Sequence, residues 1–228
     1  MSDRARHSPS AITPAQRAVL DAVLAMYRQG WFPMHDDRSG GLRWVQPRKR
    51  AVIPLDHRFH VPRSLRARIR AGRFRITSDA DFPRVVRACA QPRPERPSTW
   101  LDDDIVALFD LLHRAGHAHS VEAWLPGPGA PAPAAPGAIV GGLYGLCVGS
   151  VFCGESMFSR PDLGGTDASK VCLVRLVEHL RARGFTMLDS QLANPHLDQF
   201  GAIEIDAREY QAHLDSAALE PRAWTPFN

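Results

Sequence analysis

The alternation of apolar and polar positions opens on a helix. Across residues 14–29 Val19, Val23, Leu24 and Tyr27 fall on one face, Thr13 and Gln16 form a capping box around Pro14, and Gly30 supplies the stop. "GWFPM" and "HDDRSGG" carry turn chemistry and read as a loop, and "KRAVIPL" reads as a strand. "PRSLRARIRAG" predicts a short basic helix anchored by Leu65 and Ile69, followed by the alternating "RFRITS". Beyond "DFPRVVRACA" and the Pro-rich "QPRPERPS", a helix is expected over 102–115 from the spacing of Ile105, Leu108, Phe109 and Leu112.

"HAHSVEAWL" predicts a strand, and "PGPGAPAPAAPG" at 126–137 a surface loop without regular structure. "AIVGGLYGLCV" and "VFCGESMF", separated by Gly149 and Ser150, read as a hairpin. A helix over 167–183 follows, with Val171, Val174, Val177 and Leu180 along one edge; its N-terminal amides are expected to face the region of Glu155. "FTMLDSQ" is the next strand, and "GAIEIDAREYQAHL" closes with a strand and a short helix. A hairpin followed by helix and strand predicts an α+β sheet with helices packed on it.

At 228 residues, with 44% hydrophobic and 23% charged residues, the chain buries a substantial core. No apolar run approaches the roughly 18 residues of a membrane span, and the N-terminus lacks a signal-peptide core, so a cytoplasmic protein without a membrane partner is expected. Four cysteines without CxxC spacing suggest neither zinc nor disulfides. Charge is lopsided: residues 43–75 hold eleven basic side chains and one acid, Asp56, for +10, whereas the whole chain is +4 and the remainder therefore −6. Such a field attracts a polyanion or is simply a solvated face.

Glu155 lies inside the apolar, glycine-spaced run "FCGESMF", where a carboxylate demands a cation, either a protein arginine or an incoming group. Strand alternation in "FTMLDSQ" places Asp189 and Gln191 on one face, at a strand end; Asp189 there either serves chemistry or caps the turn into "NPHL".

"YRQGWFP", "TWL", "GHAHSVEAW", "VGGLYG", "FCGESMFS", "ASK" and "LDSQ…HL…GA" occur in an order that resembles the leucyl/phenylalanyl-tRNA–protein transferases, from about Tyr27 to Leu214. The resemblance implies a small N-terminal α/β domain (1–61) and an acetyltransferase-like (GNAT-type) catalytic domain (62–228). It implies transfer of leucine or phenylalanine from Leu-tRNA or Phe-tRNA to the α-amine of proteins beginning with Arg or Lys, which tags them for N-end-rule degradation. No metal or other cofactor is implied, and a monomer is expected. By position in the motifs, Asp189 and Gln191 are the implied catalytic pair, and Glu155 the partner of the acceptor's cationic side chain. Leu143, Phe152, Leu173 and Leu176 would line the donor side-chain pocket. Trp44 and Trp124 would meet the terminal adenosine, and Arg63, Arg66, Arg70 and Lys170 the tRNA phosphates.

Three motifs depart from the family pattern. Arg43-Trp44-Val45-Gln46-Pro47 replaces Trp-Trp-Ser-Pro, Ser190 replaces the Cys between Asp and Gln, and Asp167 replaces the Asn before Ala-Ser-Lys. Two other readings stay open: an acyl-CoA-dependent acyltransferase of the same fold, for which "RPDLGGTDASK" is a loose pyrophosphate loop, and a non-catalytic module binding tRNA or basic N-termini.

Overall fold

A computed structural model describes residues 11–36, 41–91, 103–126 and 137–228. The loop expected over 126–137 lies almost wholly outside these residues. The first helix, α1 (Pro14–Arg28), starts at the expected capping box, with Thr13 and Gln16 satisfying each other's backbone N–H. Where a loop was expected, β1 (Phe32–Asp36) and β2 (Gly41–Val45) pair as a separate antiparallel ribbon.

The main sheet is built from β3 (Lys49–Ile53), β4 (Arg75–Ser78), β5 (Ala118–Leu125), β6 (Ala138–Val148), β7 (Val151–Ser159), β8 (Met187–Gln191) and β9 (Ile203–Asp206), in the order β4-β5-β6-β7-β8-β3-β9. Every pairing is antiparallel except β7–β8. That parallel pair needs a crossover, and α5 (Ala168–Ala182) provides it. The α+β class expected from the sequence is borne out. β3, inside the segment expected to form the small N-terminal domain, is hydrogen-bonded between β8 and β9.

Helices cover both faces. One face carries α1, α3 (Phe82–Ala90), α4 (Asp103–Arg114) and α7 (Ala207–Leu219), packed on Cys153, Met187 and Ile205. The other carries α2 (Arg63–Arg70), α5 and the C-terminal residues Trp224 and Phe227, packed on Leu143, Phe152 and Leu188. The four-residue α6 (Pro195–Asp198) follows β8, and Asn194 caps it.

α5 approaches the sheet so closely that a Cβ at Gly141 would strike the Ala168 side chain and sit 3.0 Å from the Ser169 nitrogen. Gly141→Ala therefore forces β6 and α5 apart and is expected to cost about 1–3 kcal/mol by overpacking. A urea midpoint equal to wild type would refute this close seat. The first two α5 amides, expected to face Glu155, are engaged elsewhere: the Ala168 N–H donates to the Gly165 carbonyl at 3.0 Å, and the Ser169 N–H to Ser159 Oγ, four residues further along β7.

Candidate functional site

Two β-bulges lie side by side on the parallel pair. On β7, Tyr144 pairs with Ser156 and Gly145 with Gly154, leaving Glu155 as the extra residue. On β8, Val52 pairs with Asp189 and Ala51 with Gln191, leaving Ser190 as the extra residue. A bulge bends its strand and re-aims side chains. The β7–β8 ladder ends at Cys153↔Asp189, so Glu155 and Gln191 lie just beyond the last pair.

Glu155 is half-buried and forms no ion pair among the described residues. Its carboxyl accepts a hydrogen bond from the Tyr27 hydroxyl at 2.9 Å, across 128 residues of sequence. Burial pushes its pKa up to about 8; the Tyr27 bond opposes that shift, and the Asp189 charge adds to it. Tyr27 is fully enclosed, and burial followed by the Glu155 charge raises its own pKa well above the usual range. The Trp44 and Tyr27 rings stand perpendicular, with centroids 6.0 Å apart, so Trp44 on β2 packs on the residue whose hydroxyl bonds Glu155.

Asp189 sits deeper, with no exposure, and both its oxygens are engaged. Arg50 donates from Nε to Oδ1 at 2.8 Å and from Nη2 to Oδ2 at 2.7 Å, in the two-pronged geometry a guanidinium favours. The Tyr210 hydroxyl donates to Oδ2 at 2.9 Å, and the Gln191 backbone N–H donates to Oδ1 at 2.9 Å. Arg50 is 1% exposed; burial works against its charge, but the Asp189 carboxylate more than offsets this and moves its pKa upward.

Gln191 carries φ +60°, and the Leu192 N–H bonds to the Ser190 carbonyl at 2.8 Å, closing a three-residue turn around it. A non-glycine residue in this region costs about 1–3 kcal/mol and persists only where its surroundings enforce it. The Gln191 side-chain Nε2 is buried and has no partner among the described residues. Asp189 thus holds the Gln191 backbone, and the Gln191 carboxamide is left with a free donor. No metal is needed to account for these contacts. Elsewhere among the described residues, Asp79, His113 and His119 lie close enough together to suit one, but both Nδ1 atoms are engaged, with the Ala118 carbonyl and the Asp79 carboxylate.

The remaining expected residues fall in different places. Leu143, Phe152, Leu173 and Leu176 come together in one buried cluster, on the α5 face, whereas Tyr27 and Arg50 approach from the α1 and α7 face. Trp124 is 5% exposed, and its indole N–H donates to Thr77 Oγ1 beside β4. Arg63, Arg66 and Arg70 are exposed along α2. Lys170 bridges to Asp167 at 3.1 Å, as does Arg68 at 3.0 Å.

Sequence reasoning missed Arg50, Tyr210 and the role of Tyr27. Arg50 alternates with Val52 on a strand that is apolar from Ala51 to Ile53, which placed it on a buried face. Tyr27 lay on the apolar stripe of α1, and nothing local distinguishes it from packing.

Comparison with known proteins bears on this arrangement. A family model described as leucyl/phenylalanyl-tRNA protein transferase matches residues 52–215. A leucyl/phenylalanyl-tRNA–protein transferase of Chlorobaculum parvum is 46% identical over 198 residues, 87% of this chain and 94% of that protein. One from Paramagnetospirillum magneticum is 46% identical over 209 residues, 91% of this chain and 92% of its own length. The crystal structure of FemX superposes with a TM-score of 0.51 at 12% identity, covering 82% of this chain and 66% of that one, a likeness of fold.

Proposed function

The chain belongs to the leucyl/phenylalanyl-tRNA–protein transferase family and is an aminoacyltransferase, and on that premise we propose that it moves leucine or phenylalanine from the 3′ end of its tRNA to the α-amine of proteins that begin with Arg or Lys. The observation that carries the acceptor class is Glu155: a half-buried carboxyl, displaced from its ladder by a bulge, bonded to a neutral hydroxyl and in no ion pair among the described residues, the nearby Arg50 charge being committed to Asp189. An incoming guanidinium or ammonium supplies the missing charge.

Beside it, Gln191 contributes a carboxamide, which is too weak a base to remove a proton but can orient the acceptor amine. That amine, with a pKa of about 7.7–8.0, is partly neutral at pH 7. The aminoacyl ester is already activated, so its carbonyl is attacked by the neutral amine, the new amide bond forms, and the tRNA 3′-oxygen departs with the proton the amine loses. Holding amine and ester together supplies the acceleration. Asp189, sealed from solvent, serves by fixing Gln191.

On this reading the donor side chain enters the Leu143, Phe152, Leu173 and Leu176 cluster past the ends of β7 and β8, where the ladder has stopped. Trp44 borders the terminal adenosine, and Arg63, Arg66 and Arg70 meet backbone phosphates. Trp124 is the second aromatic for that adenosine, and Lys170, at the start of α5, is a further phosphate contact. The protein acts in the cytoplasm as a monomer, in N-end-rule turnover, with residues 1–61 as a small domain lending β3 to an acetyltransferase-like catalytic sheet. None of its described helices is long and apolar enough to cross a membrane.

The test is transfer of radiolabelled leucine from charged tRNA to matched peptides beginning with Arg, Lys or Ala. Incorporation into the Arg and Lys peptides alone is expected. Equal labelling of the Ala peptide would remove the acceptor assignment, and binding of tRNA without any transfer would favour a non-catalytic module.

A further inference from the structure

We infer that Arg50 is a positioning residue that sets both halves of this site at once, the Gln191 turn and the Glu155 carboxyl; the inference rests on the transfer reaction proposed above.

Its guanidinium has three directed contacts. Nε and Nη2 take the two oxygens of Asp189, and Nη1 donates to the Gly30 carbonyl at 3.0 Å. Two rings enclose it, Phe32 with its centroid at 4.6 Å and Tyr210 at 4.5 Å. The first pair of contacts stops the Asp189 carboxylate from rotating. With its plane fixed, Oδ1 stays directed at the Gln191 N–H, which holds φ at +60°.

The third contact acts on α1. Gly30 closes the last turn of that helix, its N–H bonded to the Tyr27 carbonyl at 2.9 Å. Tyr27 is the residue whose hydroxyl bonds Glu155. Arg50 therefore ties the end of α1 to the end of β8 and fixes the separation of the acceptor-binding carboxyl from the carboxamide beside it. In an acyl transfer that depends on placement, this separation governs rate more than affinity. A lysine keeps the charge but lacks the planar fork: its ammonium cannot hold two carboxylate oxygens and a carbonyl in fixed directions while lying flat between rings.

Arg50→Lys and Arg50→Gln would be examined as full-length protein for urea unfolding, charged-tRNA binding, steady-state transfer to an Arg peptide and hydrogen exchange of the Gln191 amide. Arg50→Lys is expected to unfold cooperatively and to bind charged tRNA within about twofold of wild type. Its kcat is expected to fall about 30- to 300-fold with acceptor KM changed by less than about threefold, the signature of lost placement and not of lost binding. The Gln191 amide is expected to exchange at least about tenfold faster than in wild type, while amides of the β5–β6 ladder keep their protection.

Wild-type kcat in Arg50→Lys, or an unchanged Gln191 amide, would overturn the inference. So would failure of both variants to fold, which would assign Arg50 to the fold alone. If wild-type protein transfers no leucine to any peptide, the functional reading fails, and Gln191 exchange in the variants still decides the role of Arg50.

Discussion

Glu155→Gln is expected to lower kcat/KM for Arg-initiated peptides by about 100- to 1,000-fold while leaving the weak background on Ala-initiated peptides unchanged. Glutamine keeps the shape and still accepts from Tyr27, so what is removed is charge. Losing one partner of a desolvated charge pair costs about 2–5 kcal/mol, which this range of rates expresses. Equal loss on both peptides would mean that Glu155 shapes the site and reads nothing.

The same variant makes a stability prediction. Native Glu155 binds its proton more tightly than the unfolded chain does, because burial raises its pKa to about 8. Its contribution is therefore fully present below about pH 4.5, diminishes as pH rises, and is gone once pH passes about 8. Glu155→Gln cannot ionise, so its melting temperature should exceed wild type most at pH 9 and converge with it near pH 5. A constant difference across that range would refute the raised pKa. Acceptor binding should release a proton below pH 8, so acceptor KM for the wild type should fall as pH approaches that value.

The second large effect is at Asp189. Asp189→Ala strands the Arg50 guanidinium in a site where it is 1% exposed, and an uncompensated buried charge of this kind costs about 3–5 kcal/mol. For a chain of this size the melting temperature should drop by on the order of 10 °C. Transfer should be lost even at temperatures where the variant remains folded, because the Gln191 turn has no acceptor for its N–H. Full activity in the cold would separate Asp189 from the reaction.

The helices and the central hairpin were legible because their signals are long. α1 has a complete capping box, β6 and β7 are joined by a glycine turn with φ +62° at Gly149, and α5 carries a repeated valine edge. The elements missed are short or masked by turn residues. β1 and β2 are five residues each around "HDDRSGG", and α3 has Pro83 in its first turn and a Pro-rich stretch beyond. α7 was expected to be short but runs for 13 residues.

The motifs singled out Glu155, Asp189 and Gln191, which the fold brings to neighbouring strand ends, but alternation failed to predict their geometry. It set Asp189 and Gln191 on one face, whereas the extra residue at Ser190 and the positive φ of Gln191 break that period. One inserted residue leaves no trace in composition or spacing. Arg50 was hidden differently. Among eleven basic residues in a +10 segment it read as one more solvated cation, and only its tertiary partner, 139 positions away, distinguishes it.

The placement of β3 between β8 and β9 has a consequence in time. A strand made from residues 49–53 finds its two neighbours only after residues 187–206 exist, so these pairings close the longest loops in the sheet. The β4–β7 meander can form from its own neighbours, while the ion pair beneath Gln191 waits for the return of the chain. In refolding, burial of the β5–β6 ladder should therefore precede the appearance of transfer activity, and a nascent chain that has emerged only as far as α5 has much of its core but no catalyst.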